Sequence, residues 1–354
     1  MPAFAHGPKS NTLGDISLFY VAVIARAIHH HGQDPEPLLA QFGIDPKQLA
    51  APDARISIPR FMRLGHAATA LTGNPSLGLT MGELTRPVDA GRAGLAAQTA
   101  AHAGEALATL IRYDLLTSQN SRGQPVMVSE PVAADFYSIK PYNAFNYFVV
   151  DSVLAAWTHL LRTVTGQHRV LARVTIEYPD RGVAGVFEDW FGCPVTFDAD
   201  RNRIYPLPEV LRMPCHDAQP AVHRLLRQDC DQALARLRSG WDIRDQVREK
   251  LTPLLEGEAP RLEQVALELG MAPWSLQRRL AEAGTGFRDL VDSTRQALAL
   301  DYIRETRLAF SEIAWLLGFS GPAAFHKAYR RWFGLSPGEH RRVFSAEQKE
   351  KGIS

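Results

Sequence analysis

The chain has 354 residues, of which 45% are hydrophobic and 22% are charged. This length predicts two domains, because single hydrophobic cores rarely grow past about 250–300 residues. Lys and Arg number 39 against 38 Asp and Glu, so the charge of the whole chain neither supports nor excludes binding to nucleic acid. Three cysteines without a CxxC motif argue against a disulfide framework or a zinc site and fit a reducing cytoplasm.

The beginning of the chain predicts a helix behind a disordered start. Residues 1–13 are polar and contain Gly and Pro, which predicts disorder. The segment "ISLFYVAVIARAIHHHG" then has the apolar spacing of a helix, with Asp15 as its N-cap and Gly32 as its end.

The middle of the chain changes to short segments rich in β-branched and aromatic residues, bounded by Pro, Gly or Asp. Five of them predict strands: "PVMVSE", "DFYSIKPY", "VLARVTIEYP", "PVTFD" and "NRIYPL". Helical stretches at about 144–164 and 183–191 lie between them. Because no regular βαβ alternation is visible, we expect antiparallel pairing. Residues 14–225 are therefore predicted to form one α+β domain.

From about Ala221 onward the pattern is helical only. We predict a helical linker or dimerisation region at 226–259, which a Gly/Pro cluster closes. A separate all-α domain is predicted at 260–344, followed by a tail at 345–354. The predicted fold class is thus α+β, with a mixed α/β N-terminal domain before an all-α C-terminal domain.

The sequence gives little support to an enzyme or a metalloprotein. Three adjacent histidines, His29 to His31, point in three directions on a helix, so at most two could share an ion. The cysteines are better explained as small apolar core residues. We see no nucleophile elbow, phosphate-binding Gly loop or paired carboxylates. We therefore predict no metal, no cofactor and no enzymatic activity.

A repeated motif carries the functional prediction. Ala266 is followed four residues later by Gly270, and an apolar residue follows six positions after that glycine. Small Ala lets two helices approach closely, and Gly takes the left-handed conformation of a tight turn, as in a helix-turn-helix unit. Ala314 and Gly318 repeat the pattern with a turn one residue longer. Packing alone is the alternative for a single copy, but two copies favour DNA binding.

The segment between the two copies predicts a long connecting helix, "FRDLVDSTRQALALDYIRET". About 20 residues at ~1.5 Å each span ~30 Å. Successive major grooves on one side of B-DNA lie ~34 Å apart. Such a helix could hold two recognition helices in adjacent major grooves.

The C-terminal region closely resembles the DNA-binding domain of the AraC/XylS family of transcription regulators. The resemblance covers about Pro260 to Arg342 and is carried by "LQRRL" and "IAWLLGFSGPAAFHKAYRRWFGLSPGEHRR". Gly321 departs from the family, which usually has a polar capping residue there. The first domain resembles, more diffusely, the arabinose-binding-like sensor domain of such regulators, whose name does not assign a ligand.

Matching to the family implies ten DNA-facing residues on the two recognition helices: Trp274, Ser275, Gln277, Arg278, Pro322, Ala323, His326, Lys327, Arg330 and Arg331. Gln and Arg can pair with adenine and guanine, whereas Arg330 and Arg331 are expected on phosphate. With small apolar residues at its start, the second helix is expected to discriminate less sharply. A solvated helix face is the alternative. Five aromatic residues are expected in the core: Phe319, Phe325, Tyr329, Trp332 and Phe333.

One aromatic segment of the first domain suggests where a small molecule binds. The stretch 136–148 holds six Phe or Tyr residues beside polar groups. An apolar pocket with a few polar anchors has this composition, although an ordinary core does too. We predict an amphipathic, lipid-like effector contacted by four residues: Lys140, Tyr142, Phe145 and Tyr147.

These inferences predict a bacterial transcription regulator controlled by a small-molecule effector. Its expected partners are double-stranded promoter DNA, the effector, RNA polymerase and a second copy in a homodimer, with no membrane. We expect it in the cytoplasm, on the nucleoid. Two alternatives remain open: an enzyme acting on a small molecule with an appended DNA-binding domain, and a ligand-independent DNA-binding protein.

Overall fold

The computed structural model describes residues 14–51, 54–120, 123–255 and 257–350. The disorder predicted for residues 1–13 lies outside them. The chain divides into two compact units. The N-terminal unit comprises Ile16–Asn120 and Gln124–Ser239, and the C-terminal unit includes the chain from Gly240 onward. The segment 226–259 is thus divided between the units at Ser239.

Helices make up most of the N-terminal unit. They are α1 (Phe19–His30), α2 (Glu36–Gln41), α3 (Pro46–Leu49), α4 (Ile58–Thr72), α5 (Leu77–Glu83), α6 (Gly91–Gln98), α7 (Ala103–Arg112), α8 (Tyr147–Thr165), α9 (Ala184–Phe191), α10 (Pro208–Leu211) and α11 (Pro220–Ser239). The helices predicted at about 144–164 and 183–191 are confirmed as α8 and α9.

Two sheets complete this unit. The strands are β1 (Gly14–Ser17), β2 (Arg55–Ser57), β3 (Ser118–Asn120), β4 (Val126–Ser129), β5 (Val132–Phe136), β6 (Leu171–Thr175), β7 (Val195–Thr196) and β8 (Asn202–Pro206). One sheet has the order β2-β1-β3 and the other β4-β5-β8-β6-β7. The larger sheet pairs antiparallel except between β6 and β7, which are parallel. The expectation of purely antiparallel pairing was wrong at this edge.

Two further local predictions were wrong. Asp15 does not cap a helix, because it lies in β1, and α1 begins only at Phe19 without a side-chain cap. Pairing with two strands distant in sequence overrides the local helical pattern there. The strand predicted at "DFYSIKPY" begins earlier, at Val132, and ends at Phe136. Gly32 does follow the end of α1 with a φ of +73°, as predicted.

The main core of the N-terminal unit lies between α7, α8 and the larger sheet. Leu154 and Leu161 of α8 pack in one cluster with Val174 and Ile204 of the sheet, all fully buried. Cys193 and Cys215 belong to the same cluster, and Cys230 is buried beside Tyr113. Burial raises the pKa of each thiol to about 11, which suits the predicted role as apolar core residues.

Helix α11 packs against α6 inside the N-terminal unit. His223 Nδ1 lies 2.7 Å from the carbonyl oxygen of Ala96. Six residues further along α11, Asp229 accepts a 2.8 Å hydrogen bond from Arg92. These contacts fix the buried face of α11, while Val222 and Leu225 stay exposed.

From Gly240 onward, the described residues form helices and no strand, as predicted. The helices are α12 (Ile243–Leu251), α13 (Leu262–Glu268), α14 (Pro273–Glu282), α15 (Phe287–Glu305), α16 (Phe310–Leu316), α17 (Pro322–Phe333) and α18 (Pro337–Glu350). Helix α18 extends through the first residues of the segment 345–354. Across the described parts of both units, no helix is long and apolar enough to cross a membrane.

Candidate nucleic-acid interface

The first helix-turn-helix unit consists of α13 and α14. Ala266 and Leu276 are fully buried where the two helices meet. Between them, Gly270 has a φ of +63°, the left-handed conformation that was predicted for the turn. The backbone N–H of Met271 donates to the carbonyl of Ala266, 2.9 Å away, which closes the turn.

Helices α16 and α17 repeat this geometry. Ala314 and Phe325 are fully buried. Gly318 has a φ of +66°, and the N–H of Phe319 donates to the carbonyl of Ala314 at 2.9 Å. The second copy predicted from the sequence is therefore a genuine helix-turn-helix unit.

Helix α15 connects the two helix-turn-helix units, as predicted. Its 19 residues span about 28 Å at about 1.5 Å per residue. Leu290, Val291, Leu298 and Tyr302 are buried along it. The connection is thus one packed helix.

The solvent-facing side of α14 carries polar and aromatic residues. Trp274 is 66% exposed, and Gln277 and Arg278 are also exposed. The Arg278 guanidinium lies 5.7 Å from the centre of the Trp274 ring, and its Nε is 3.6 Å from a carboxylate oxygen of Glu282. Ser275 is half-buried. The predicted residues therefore share one accessible helix face.

The solvent-facing side of α17 is basic towards its C-terminal end. Five of the predicted residues are exposed: Pro322, Ala323, Lys327, Arg330 and Arg331. His326 is half-buried and packs edge-on against Phe310, with ring centres 5.3 Å apart. Helix α17 begins after Gly321 without a side-chain cap, the consequence expected from the departure at that position.

Two of the five aromatic residues expected in the core are confirmed as fully buried. Phe325 and Tyr329 are fully buried, with ring centres 5.6 Å apart. Phe319, Trp332 and Phe333 are half-buried and pack against the same cluster.

Two charged residues of α15 make hydrogen bonds to the second helix-turn-helix unit. Neither was predicted from the sequence. Asp292 accepts hydrogen bonds from Arg331 Nη2, at 2.7 and 2.9 Å, and from Trp332 Nε1 at 3.1 Å. Three residues later, Arg295 points at the turn between α16 and α17. The available sequence signal is a pair of opposite charges three residues apart on this helix, but the pair names no partner.

The Arg295 side chain binds backbone carbonyls of the turn between α16 and α17. Its Nε and Nη2 donate to the carbonyl oxygens of Leu317 and Gly318, each at 2.7 Å. The guanidinium also lies 4.7 Å from the centre of the Phe319 ring. Burial lowers the pKa of Arg295, which the nearby carboxylate of Asp292 opposes. The carbonyls at the end of α16 therefore find a charged donor.

The segment before α13 packs on the other side of the second turn. The N–H of Gly257 donates to the carbonyl of Trp315 at 2.9 Å. A Cβ placed on Gly318 would lie 2.2 Å from the carbonyl oxygen of Glu258 and 2.6 Å from that of Leu255. The segment that immediately precedes α13 thus packs closely against the turn between α16 and α17.

Comparison with known proteins agrees with this geometry. Residues 32–215, more than half of the chain, match the family described as the N-terminal arabinose-binding domain of AraC transcription regulators, and residues 265–343 match a helix-turn-helix domain family. The chain belongs to the AraC family of transcription regulators. It is a DNA-binding regulator with an N-terminal ligand-binding domain and a C-terminal helix-turn-helix domain.

Individual relatives of this AraC-family chain are similar over nearly their whole length. An ornithine utilization regulator of Pseudomonas aeruginosa is 27% identical over 337 residues, covering 94% of this chain and 98% of the relative. The transcriptional regulator VirS of Mycobacterium tuberculosis is 26% identical over 318 residues, covering 88% and 91%. The crystal structure of the transcriptional regulator CdpR from P. aeruginosa has 25% identity and a TM-score of 0.42, covering 90% of this chain and 97% of CdpR.

In the ligand-binding domain of this AraC-family regulator, three of the four predicted effector residues lie in one polar and aromatic cluster. Lys140 Nζ is 3.3 Å from Glu177 Oε2, and the Tyr142 hydroxyl donates to the same oxygen at 2.5 Å. The Tyr147 ring lies 4.7 Å from that of Tyr178. Phe145 lies apart from this cluster, against the ring of His66 at 4.3 Å.

A buried carboxyl adjoins the same cluster. Asp151 is fully buried, accepts a hydrogen bond from the Tyr178 hydroxyl and lies 3.3 Å from Arg181 Nη2. The Arg181 guanidinium also lies 4.3 Å from the centre of the Tyr147 ring. Burial raises the pKa of Asp151 to about 7, although both partners favour the charged form.

An open cleft of about 510 Å³ lies elsewhere in this domain. It is lined by Glu83, His159, Arg162, Thr163, His168, Asp189 and Trp190. None of the four predicted effector residues lines it. In the described part of the chain, no group of three or more His, Cys, Asp or Glu side chains could hold a metal ion. His31 instead contacts Thr80 and Asn74, at 3.1 and 3.0 Å.

Proposed function

We propose that α14 and α17 enter successive major grooves on one side of a promoter, so that one chain reads two parts of its operator. The observation that carries this proposal is that two helix-turn-helix units, each with an exposed recognition-helix face, are joined by α15, a single packed helix. Its length of about 28 Å is close to the ~34 Å repeat of B-DNA, and modest bending of DNA accommodates the difference.

Helices α14 and α17 contact different parts of the DNA. Gln277 and Arg278 of α14 pair with base edges, flanked by Trp274 and Ser275. Lys327, Arg330 and Arg331 of α17 bind phosphate oxygens, which position the protein without specifying sequence. Three residues near the start of α17 offer mainly apolar contact or a single imidazole: Pro322, Ala323 and His326.

The N-terminal domain binds an amphipathic effector near the cluster formed by Lys140, Tyr142 and Tyr147. Support comes from aromatic rings packed beside a charged pair, which together offer both apolar surface and a polar anchor. Phe145, although apart from the cluster, is 36% exposed and belongs to the same segment. The name of the ornithine utilization regulator makes amino acids the second class of compound to screen.

The protein works in the cytoplasm, on the nucleoid, as a homodimer that contacts RNA polymerase. Effector binding shifts the balance between conformations with different operator affinity, by an amount equal to its differential affinity for them. The N-terminal domain has no catalytic role in this proposal; its curated relatives are named as regulators.

Footprinting on the promoter found by genome-wide occupancy tests this proposal. Sphingoid bases, fatty acids and amino acids are first screened by thermal shift, and any compound that stabilises the protein is added to the footprint. A sensor changes its footprint, an enzyme consumes the compound, and a ligand-independent protein ignores it. If no compound of these classes stabilises the protein, the effector proposal is wrong.

A further inference from the structure

We propose that Asp292 sets the affinity of the second recognition helix for DNA by holding Arg331 in an ion pair that phosphate must displace. The inference rests on the proposed function, because it assigns a regulator of phosphate binding within the same DNA face. It makes Asp292, a residue of the connecting helix, a determinant of how strongly this chain binds any DNA sequence.

The ion pair joins two helices. Arg331 belongs to α17 and Asp292, 39 residues earlier, to α15. A single guanidinium nitrogen reaches both carboxylate oxygens, at 2.7 and 2.9 Å. Trp332 Nε1 donates to the same carboxylate at 3.1 Å and holds it in place. The carboxylate is therefore fixed from two directions.

The pair remains accessible to DNA. The Arg331 side chain is 64% exposed and the Asp292 side chain 47% exposed. Lys327, one helical turn before Arg331, is exposed as well, and residues four apart share one face of a helix. A phosphate bound beside Lys327 would thus meet Arg331 together with the negative charge of Asp292.

This arrangement has a definite consequence for salt dependence. A cation that binds phosphate releases condensed counterions, and each such contact steepens the fall of log K with log salt by about 0.9. In the native pair, Asp292 already neutralises Arg331, so phosphate only replaces one anion with another. Without the carboxylate charge, Arg331 would add one full phosphate contact.

Asp292→Asn removes the negative charge but keeps a side chain of nearly the same shape. The amide oxygen of Asn still accepts the hydrogen bond from Trp332, but the group no longer neutralises Arg331. Glu282→Gln provides a matched control, since it removes one negative charge from the other recognition helix. The ion pair of Glu282 with Arg278 lies within a single helix, and at 3.6 Å it is longer than the pair of Asp292 with Arg331.

The experiment measures binding of the full chain to its genomic site and to an unrelated fragment between 50 and 200 mM salt. We expect Asp292→Asn to bind both fragments more tightly and to steepen the slope by about 0.9, so that its advantage shrinks roughly 3.5-fold across this range. Arg331→Ala, which leaves the Asp292 carboxylate unpaired beside the phosphate, should weaken binding to both fragments, and the double variant with Asp292→Asn should bind no more tightly than the native chain. Asp292→Glu, which keeps the charge, should show no gain.

Three results would overturn this role for Asp292. They are unchanged or weaker binding by Asp292→Asn, an equal gain from Glu282→Gln, and a gain that survives Arg331→Ala. Each leaves the proposed function standing as long as the unaltered chain protects two major grooves. Loss of that two-groove footprint in the unaltered chain would instead refute the proposed function.

Discussion

Gly270 and Gly318 occupy equivalent turns of the two helix-turn-helix units and share a left-handed backbone, but only Gly318 is enclosed. A Cβ on Gly270 would meet nothing within 4 Å, whereas on Gly318 it would lie 2.2 Å from the carbonyl oxygen of Glu258. Arg295 adds two hydrogen bonds to the second turn. The same sequence motif therefore packs against its surroundings differently in its two copies.

This asymmetry predicts different costs for the same substitution. Gly270→Ala should destabilise its unit by about 1–2 kcal/mol, the cost of placing an L-residue in the left-handed region. Gly318→Ala should cost about 1–3 kcal/mol more, because the added methyl forces neighbouring backbone to move. Hydrogen exchange of α13–α14 and α16–α17 in the full chain measures each effect locally. Equal changes in the two units would contradict the enclosed position of Gly318.

Arg295→Lys tests whether the second turn depends on the planar guanidinium. Lys keeps the charge but offers a point donor instead of two fixed N–H groups. We expect a loss of about 1.5–3 kcal/mol, as for hydrogen bonds to charged groups, and faster hydrogen exchange in α16 and α17. Footprints should weaken at the half-site of α17 and persist at that of α14. Unchanged exchange would show that Arg295 does not hold the turn.

Arg278→Ala should reduce both affinity and base preference. One good base contact is worth roughly 1–3 kcal/mol of discrimination, so preference should relax at a single operator position. Arg279, the next residue, is also exposed and provides the matched control. Arg279→Ala should leave base preference intact. Gel-shift competition with operator variants measures both, and equal effects of the two substitutions would refute the assigned face of α14.

The buried carboxyl of Asp151 predicts a pH dependence of the N-terminal domain. Its pKa is raised from 3.8 to about 7 by burial. Between these values the folded carboxyl keeps a proton that the unfolded one releases, so its contribution to the free energy of unfolding falls as pH rises. Compared with the native chain, Asp151→Asn should lose less thermal stability between pH 5 and pH 8. Parallel Tm profiles would contradict a raised pKa.

The sequence predicted elements whose signals are local. The spacing of Ala266 and Gly270 specified a turn between helices, and the 19-residue α15 followed from its length and pattern. It did not reveal β1, because strands of three or four residues carry little periodicity and are stabilised by distant partners. The contacts of Asp292 and Arg295 were missed for the same reason, since their partners lie 22 to 40 residues away.

In the proposed function, one chain places α14 and α17 in two successive major grooves. Methylation-protection footprinting of the full chain on its genomic operator tests it most directly, with Arg278→Ala and Lys327→Ala as probes. We expect two protected major-groove segments about 10 base pairs apart on one side of the duplex, with each variant weakening a different segment. A single protected groove, or both variants weakening the same one, would contradict it.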